Sequence, residues 1–177
     1  TGFQKEFRDK VLGVNAHVLV RKNSNDFYEY RDVEKVCTRL PDVVGVQPFM
    51  FEEMMMTRGK GVFTGIVLKG VDAKRVESVL DLSKHMIEGT SSVLERHSVD
   101  RPAPIVLGRE LAYKLRAKVG DEVTIVSPIS GIDPKTWTSV RPPKTRKFHV
   151  EGIFYAGFAQ NDRKLDYVAL GQLQDFV

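Results

Sequence analysis

Asp121-Glu-Val-Thr-Ile-Val-Ser127 and Arg146-Lys-Phe-His-Val-Glu-Gly-Ile-Phe154 flank the stretch Pro128-Ile-Ser-Gly-Ile-Asp-Pro-Lys-Thr-Trp-Thr-Ser-Val-Arg-Pro-Pro-Lys-Thr145. Both flanks alternate apolar and polar residues, the signature of half-buried strands. The join is far longer than a hairpin turn needs. Structureless connections beyond roughly 12–15 residues are uncommon and are usually functional or disordered. Pro128, Pro134, Pro142 and Pro143 each fix φ and stiffen the path. Trp137, the only tryptophan, lies near the middle, with Ile129, Ile132 and Val140 as further apolar surface and Lys135, Arg141, Lys144, Arg146 and Lys147 against the single acid Asp133. Aromatic anchors inside a basic rim favour protein partners. Two readings stay open on the residues alone: a projecting binding arm, or a surface excursion whose Trp137 folds back onto the body. Length and proline content favour the arm.

The 177 residues are ample for a core in one domain or two small lobes. A formal charge of +4 allows contact with anionic lipid or an acidic partner but is too small to argue for nucleic acid. The one cysteine, Cys37, excludes an internal disulfide. Its spacing with Val33, Val36 and Leu40 places it on an apolar helix face, where burial is expected. No stretch approaches the ~20 apolar residues of a membrane span, and no signal peptide is present. The chain starts Thr1-Gly2 without methionine and reads as an excised fragment of a longer protein.

Elsewhere the pattern predicts mixed α and β structure (α+β). Phe3, Phe7 and Val11 imply an amphipathic helix over 3–11. Residues 15–22 read as a strand, 23–26 as a turn, and 29–40 as a helix stopped at Pro41. Val43 to Thr57 is rich in β-formers, and core filling is the expected role of Met54-Met55-Met56. Arg58-Gly-Lys-Gly61 is a hairpin turn leading to a return strand over 62–71. It lacks the ending and following helix of a phosphate-binding loop. Asp72 is placed to cap a short helix carrying Val76, Val79 and Leu80. Residues 81–103 read as polar, irregular surface loop with local order, 104–108 as a buried strand, and 109–118 as a helix burying Leu111, Ala112 and Leu115. Residues 158–164 read as a loop, 166–170 as a strand, and 171–177 as the start of a helix.

Catalytic and metal patterns are missing. His17, His85, His97 and His149 are scattered without metal-type spacing, and no nucleophile elbow occurs. Asp162 and Asp166 are close in sequence, but loop and strand-edge acids are expected to be solvated. No cofactor and no enzymatic activity are expected. A small hydrolase is the alternative from a different class.

The run from Pro104-Ile-Val-Leu-Gly-Arg-Glu-Leu-Ala through Val119-Gly-Asp-Glu-Val-Thr-Ile-Val-Ser-Pro128 resembles a segment of the bacterial lipoprotein-releasing ABC permeases, LolC and LolE. Gly13-Val-Asn-Ala-His-Val-Leu-Val20 and Phe148-His-Val-Glu-Gly-Ile-Phe154, followed by Asp162 and Asp166-Tyr-Val168, match two further segments in the right order. The resemblance implies a MacB-like, two-lobed periplasmic domain, Porter and Sabre, between the first two membrane helices of an inner-membrane permease. The lobes are expected at 12–58 plus 121–177 and at 59–120.

It implies extraction of lipoproteins from the inner membrane, powered by a separate LolD-like ATPase subunit, beside a second permease copy or a LolE-like partner. It also implies a protruding hairpin, the Hook, at 128–143, which docks the soluble lipoprotein chaperone LolA. The expected Hook contacts are Ile129, Ile132, Pro134, Lys135, Trp137, Val140, Arg141 and Pro142. The expected Pad contacts are Thr145, Arg146 and Thr124. Thr145 stands where the family has glutamine, and Thr124 where it has arginine. The alternative is a MacB-type export permease domain working with a periplasmic adaptor.

Overall fold

A computed structural model describes residues 14–23, 27–59, 61, 63–96, 101–132, 136, 138, 141–157 and 159–177. Among the described residues, seven strands form one mixed sheet: β1 Phe49–Thr57, β2 Thr64–Val71, β3 Met86–Gly89, β4 Ala103–Gly108, β5 Glu122–Val126, β6 Thr145–Phe154 and β7 Leu165–Ala169. The helices described are α1 Tyr30–Cys37, α2 Val76–Val79, α3 Leu82–His85, α4 Arg109–Leu115, α5 Ala159–Lys164 and α6 Leu170–Gln174, with a 3₁₀ turn at Ser91–Glu95. This is the mixed α+β class that the sequence implies. No helix among the described residues is long and apolar enough to cross a membrane.

The strand order is β3-β6-β4-β7-β2-β1-β5, and β5 also pairs with β6. The ladder therefore closes through six strands, with β3 added beside the C-terminal half of β6. Closure leaves few unpaired strand edges in the ring. Strands β2, β3 and β4 come from the 59–120 stretch and the others from the rest of the chain, so one sheet takes strands from both.

Pleating explains which residues go inside. Alternate residues of a strand face opposite sides. Met54 and Met56, Ile66 and Leu68, Ile105 and Leu107, Val123 and Ile125, Phe148 and Val150, and Val168 meet in one cluster with Leu111, Ala112 and Leu115 of α4 and Leu173 of α6. The intervening Val71, Val106 and Tyr167 belong to a second cluster, joined by Phe154, which the register shift in β6 after Val150 brings to that side, and covered by Val14, Val76, Leu80, Leu82, Val93 and Leu94. Two of the three consecutive methionines thus fill the core, and Met55 between them is half-buried. The α4 face is the one read from the sequence.

Several local expectations are corrected. Residues 15–22 are not a strand: Val14 is buried and its carbonyl accepts the Tyr167 hydroxyl at 2.7 Å, but Val18 is 77% exposed. Alternation records only a preference for extended backbone; a strand also needs an open ladder edge beside it. The local order expected within 81–103 is more than surface loop. Met86–Gly89 pairs antiparallel with β6, and Val93 and Leu94 are buried. Residues 159–164 are helical rather than loop.

Helix α1 ends at Cys37, short of Pro41, and buries no residue. Val36 and Leu40 are exposed, and Cys37 is half-buried rather than packed away. The helix is held by charge instead: Glu34 accepts from Arg75, which also pairs with Asp72 at 2.7 Å. Asp72 does not cap α2, whose N-cap is Arg75 with no side-chain cap bond; it closes the preceding turn instead, accepting from the Lys74 amide at 3.1 Å. The helix expected over 3–11 lies outside the described residues.

A candidate partner-docking arm

Strands β5 and β6 pair antiparallel from Glu122↔His149 to Val126↔Thr145, and the excursion leaves from their open end. Its root is ordered by a small network. The Ser127 amide donates to the Lys144 carbonyl at 3.0 Å, and the Lys144 amide donates to the Ser130 hydroxyl oxygen at 2.7 Å. That hydroxyl donates in turn to the Ser127 carbonyl at 2.9 Å. Farther out, the Arg141 amide reaches the Gly131 carbonyl at 3.4 Å. A Cβ on Gly131 would stand 2.1 Å from the Arg141 carbonyl oxygen, so only glycine lets the two arms of the root approach this closely. β5 also pairs with β1, Met55 opposite Val126, which ties the root to the barrel wall.

Of the expected Hook residues, Ile129, Ile132, Arg141 and Pro142 are described. Ile129 is 63% exposed, Ile132 is half-buried, and Arg141 and Pro142 are exposed. Pro134, Lys135, Trp137 and Val140 lie outside the described residues, as does most of the tip. An exposed isoleucine beside exposed Pro128, Pro142 and Pro143 gives the root an apolar, conformationally restricted surface.

The three expected Pad residues do not share one face. Thr124 stands opposite Lys147, and Thr145 opposite Val126. With period two, these four side chains lie on one side of the ladder. Arg146 stands opposite Ile125 and next to Phe148, on the core side. Its guanidinium donates to the Gln172 carbonyl at 2.8 Å and the Asp175 carbonyl at 3.3 Å, and it sits 5.3 Å from the Phe176 ring centroid. On the outer side Lys147 pairs with Glu122 at 3.0 Å. The pleat turns Thr145 and Arg146 to opposite faces, and nothing in the sequence marked Gln172, Asp175 and Phe176 as partners of Arg146.

Charged groups buried in the body are further findings that the sequence reading missed. Asp162 and Asp166 are both fully buried, not solvated. One oxygen of Asp162 accepts the Ala156 amide at 2.7 Å, and one of Asp166 accepts the Gly108 amide at 3.2 Å. Burial raises both carboxyls, Asp166 well above the ordinary range. The two acids hold the loop after β6 and the β4–α4 junction in place.

Lys69 is also buried, with its ammonium 5.2–6.0 Å from the rings of Phe49, Phe51 and Tyr167. Burial lowers it to about 8. Its place inside the apolar run Ile66-Val-Leu-Lys-Gly-Val71 was the signal available in the sequence. Among the described residues, no three His, Cys, Asp or Glu side chains gather as a metal site. A cleft of about 860 Å³ lies between α1 and the segments around Asp72–Arg75, Leu94–Arg96 and Leu170–Asp175. Its walls carry both charge signs, including the Glu34–Arg75 pair.

The comparisons with known proteins define a class: the periplasmic core domain of an ABC transporter permease. The MacB-like periplasmic core domain family matches residues 1–176, and the chain belongs to it. Over 174 residues it is 25% identical to the lipoprotein-releasing system transmembrane protein LolC of Xylella fastidiosa, covering 98% of this chain and 40% of that protein. It is 23% identical over 184 residues to LolE of Haemophilus influenzae, covering 99% of this chain and 41% of that one. The chain thus spans about two fifths of the length of these relatives. The periplasmic region of MacB from Actinobacillus actinomycetemcomitans has the same fold at a TM-score of 0.50 and 15% identity, covering 88% of this chain and 65% of that one.

Proposed function

We propose that this domain belongs to an inner-membrane permease that releases lipoproteins, and that its arm docks a soluble, LolA-like lipoprotein chaperone to receive them. The observation that carries the reading is the long proline-rich excursion, rooted in an ordered network and presenting exposed Ile129, Arg141 and Pro142. The likeness to LolC supports it. Each CH₂ of an acyl chain costs roughly 0.8 kcal/mol to expose to water, so the lipid must pass between greasy cavities without a free intermediate. An arm that holds the chaperone at the exit raises the effective concentration of the acceptor. Trp137 with Ile129, Ile132, Val140, Pro134 and Pro142 would anchor the contact, inside a rim of Lys135 and Arg141. Thr124 and Thr145 would meet the partner from the outer face of the root. Loaded chaperone must leave, which suits a micromolar contact worth about 8 kcal/mol. ATP hydrolysis would come from a separate LolD-like subunit, alongside a second permease copy or a LolE-like partner. No cofactor is needed.

Calorimetry between this domain and the chaperone of the same organism tests the proposal, with and without residues 129–142 replaced by a short Gly-Ser turn. Binding that disappears with the arm supports docking, and binding that survives the replacement refutes it. The MacB-like fold favours a second reading, export through a periplasmic adaptor. Complex formation with an adaptor but not with the chaperone would select it.

A further inference from the structure

We propose that Arg146 is a positioning residue: it clamps the root of the arm to the last turn of α6 and so sets the direction in which the arm is presented. The inference rests on the docking reading of the arm and assigns Arg146 a role other than direct contact with the partner.

Three observations carry it. First, the pleat sends Arg146 to the core side, away from Thr124 and Thr145. Second, the end of α6 leaves carbonyls that the helix does not satisfy. The Gly171 carbonyl accepts the Asp175 amide, and the Leu173 carbonyl accepts the amides of Phe176 and Val177. The carbonyls of Gln172 and Asp175 go to the two Nη atoms of Arg146. A planar fork with fixed donor geometry can span two such acceptors, and a cation there also complements the negative end of the helix. Third, the guanidinium lies against Phe176, which is buried and packs edge-to-face on Phe148, the second residue after Arg146 in β6. Backbone, ring and cation therefore close a loop between β6 and α6. Lys144, two residues back, adds a strut from its Nζ to the Val177 carbonyl at 2.7 Å.

The test combines a distance and an affinity in the full chain on a Cys37→Ser background. Spin labels at Ile129→Cys in the root and Gln174→Cys on α6, both exposed positions, report the root-to-helix distance by double electron–electron resonance. Chaperone binding is measured separately without the labels. Arg146→Gln is expected to broaden the distance distribution and weaken binding roughly ten-fold, through the extra ordering that docking must then impose. Arg146→Lys, which keeps the charge but cannot span both carbonyls, is expected to fall between.

Weakened binding with an unchanged distribution would overturn the clamp and make Arg146 a direct contact. A broadened distribution with unchanged affinity would overturn its positioning role. If Arg146→Gln fails to fold, Phe176→Leu, which removes the stacking ring while keeping both carbonyl bonds, must broaden the distribution or the inference falls. Should the Gly-Ser replacement of 129–142 leave chaperone binding intact, the docking reading fails, and the distances still decide whether the clamp exists.

Discussion

The paired part of β5 and β6 and the excursion they carry are continuous in sequence but are held in different ways. In the paired part every second residue enters the core: Val123, Ile125, Phe148 and Val150 are all essentially inaccessible to solvent. Their positions are fixed by register, so a slip of one residue would turn the whole apolar set outward. In the excursion a few hydrogen bonds among Ser127, Ser130, Gly131, Arg141 and Lys144 hold the root, and Ile129 stays exposed. The difference teaches that the wall supplies stability and the arm supplies surface. Substitutions in the two parts should therefore separate stability from binding.

The sharpest way to break that separation is a paired substitution. Phe148→Ala removes a ring packed against Phe176 and should cost about 3–5 kcal/mol of unfolding free energy, read by urea denaturation. Ile129→Ala should stay within about 0.5 kcal/mol of the parent while weakening partner binding. If Ile129→Ala destabilises the domain as Phe148→Ala does, the arm is part of the core and the comparison collapses.

Gly108→Ala probes the wall where it meets the buried acids. A Cβ there would lie 2.4 Å from the Asp162 carbonyl oxygen, and that backbone cannot swing aside as a side chain would. The expected loss is about 1–3 kcal/mol, measured in the same denaturation series. A neutral result would mean that α5 moves independently of β4.

Lys69→Met is expected to act with the opposite sign. The folded state holds Lys69 at about 8, below its ordinary 10.5, because burial disfavours the charged form. The unfolded chain binds the extra proton between those values, so wild-type stability should rise with pH from about 8 to 10.5. Below that window the buried ammonium is a standing cost, partly offset by the three rings around it. Methionine fills a similar volume without the charge. At pH 7 the substitution should raise stability by about 1–2 kcal/mol and flatten the alkaline rise. Loss of stability instead would show that the ring cage outweighs desolvation.

Much of this architecture was legible in the sequence. Strands β1, β2, β4, β5, β6 and β7 follow apolar alternation or short apolar runs, and the buried face of α4 follows from the spacing of Leu111, Ala112 and Leu115. The arm was visible as a loop too long and too rich in proline to be a turn. The misses share a cause. The segment 15–22 has the pattern of a strand without an edge to join, and α1 has an apolar face that packing leaves largely uncovered. Residues 86–89 look too polar for a strand, yet the edge beside the far half of β6 accepts them.

By itself the sequence determined the well-patterned strands and helix α4, the face that each of them buries, and the length and proline content of the β5–β6 connection, because these depend on local periodicity and on composition. Only the tertiary structure decided that the ladder closes, that Asp162, Asp166 and Lys69 are taken out of water, and that Arg146 turns inward to α6 while its neighbour Thr145 turns outward. These outcomes depend on which distant carbonyl, ring or strand edge lies within a few ångströms, and residues far apart in the chain supply those partners.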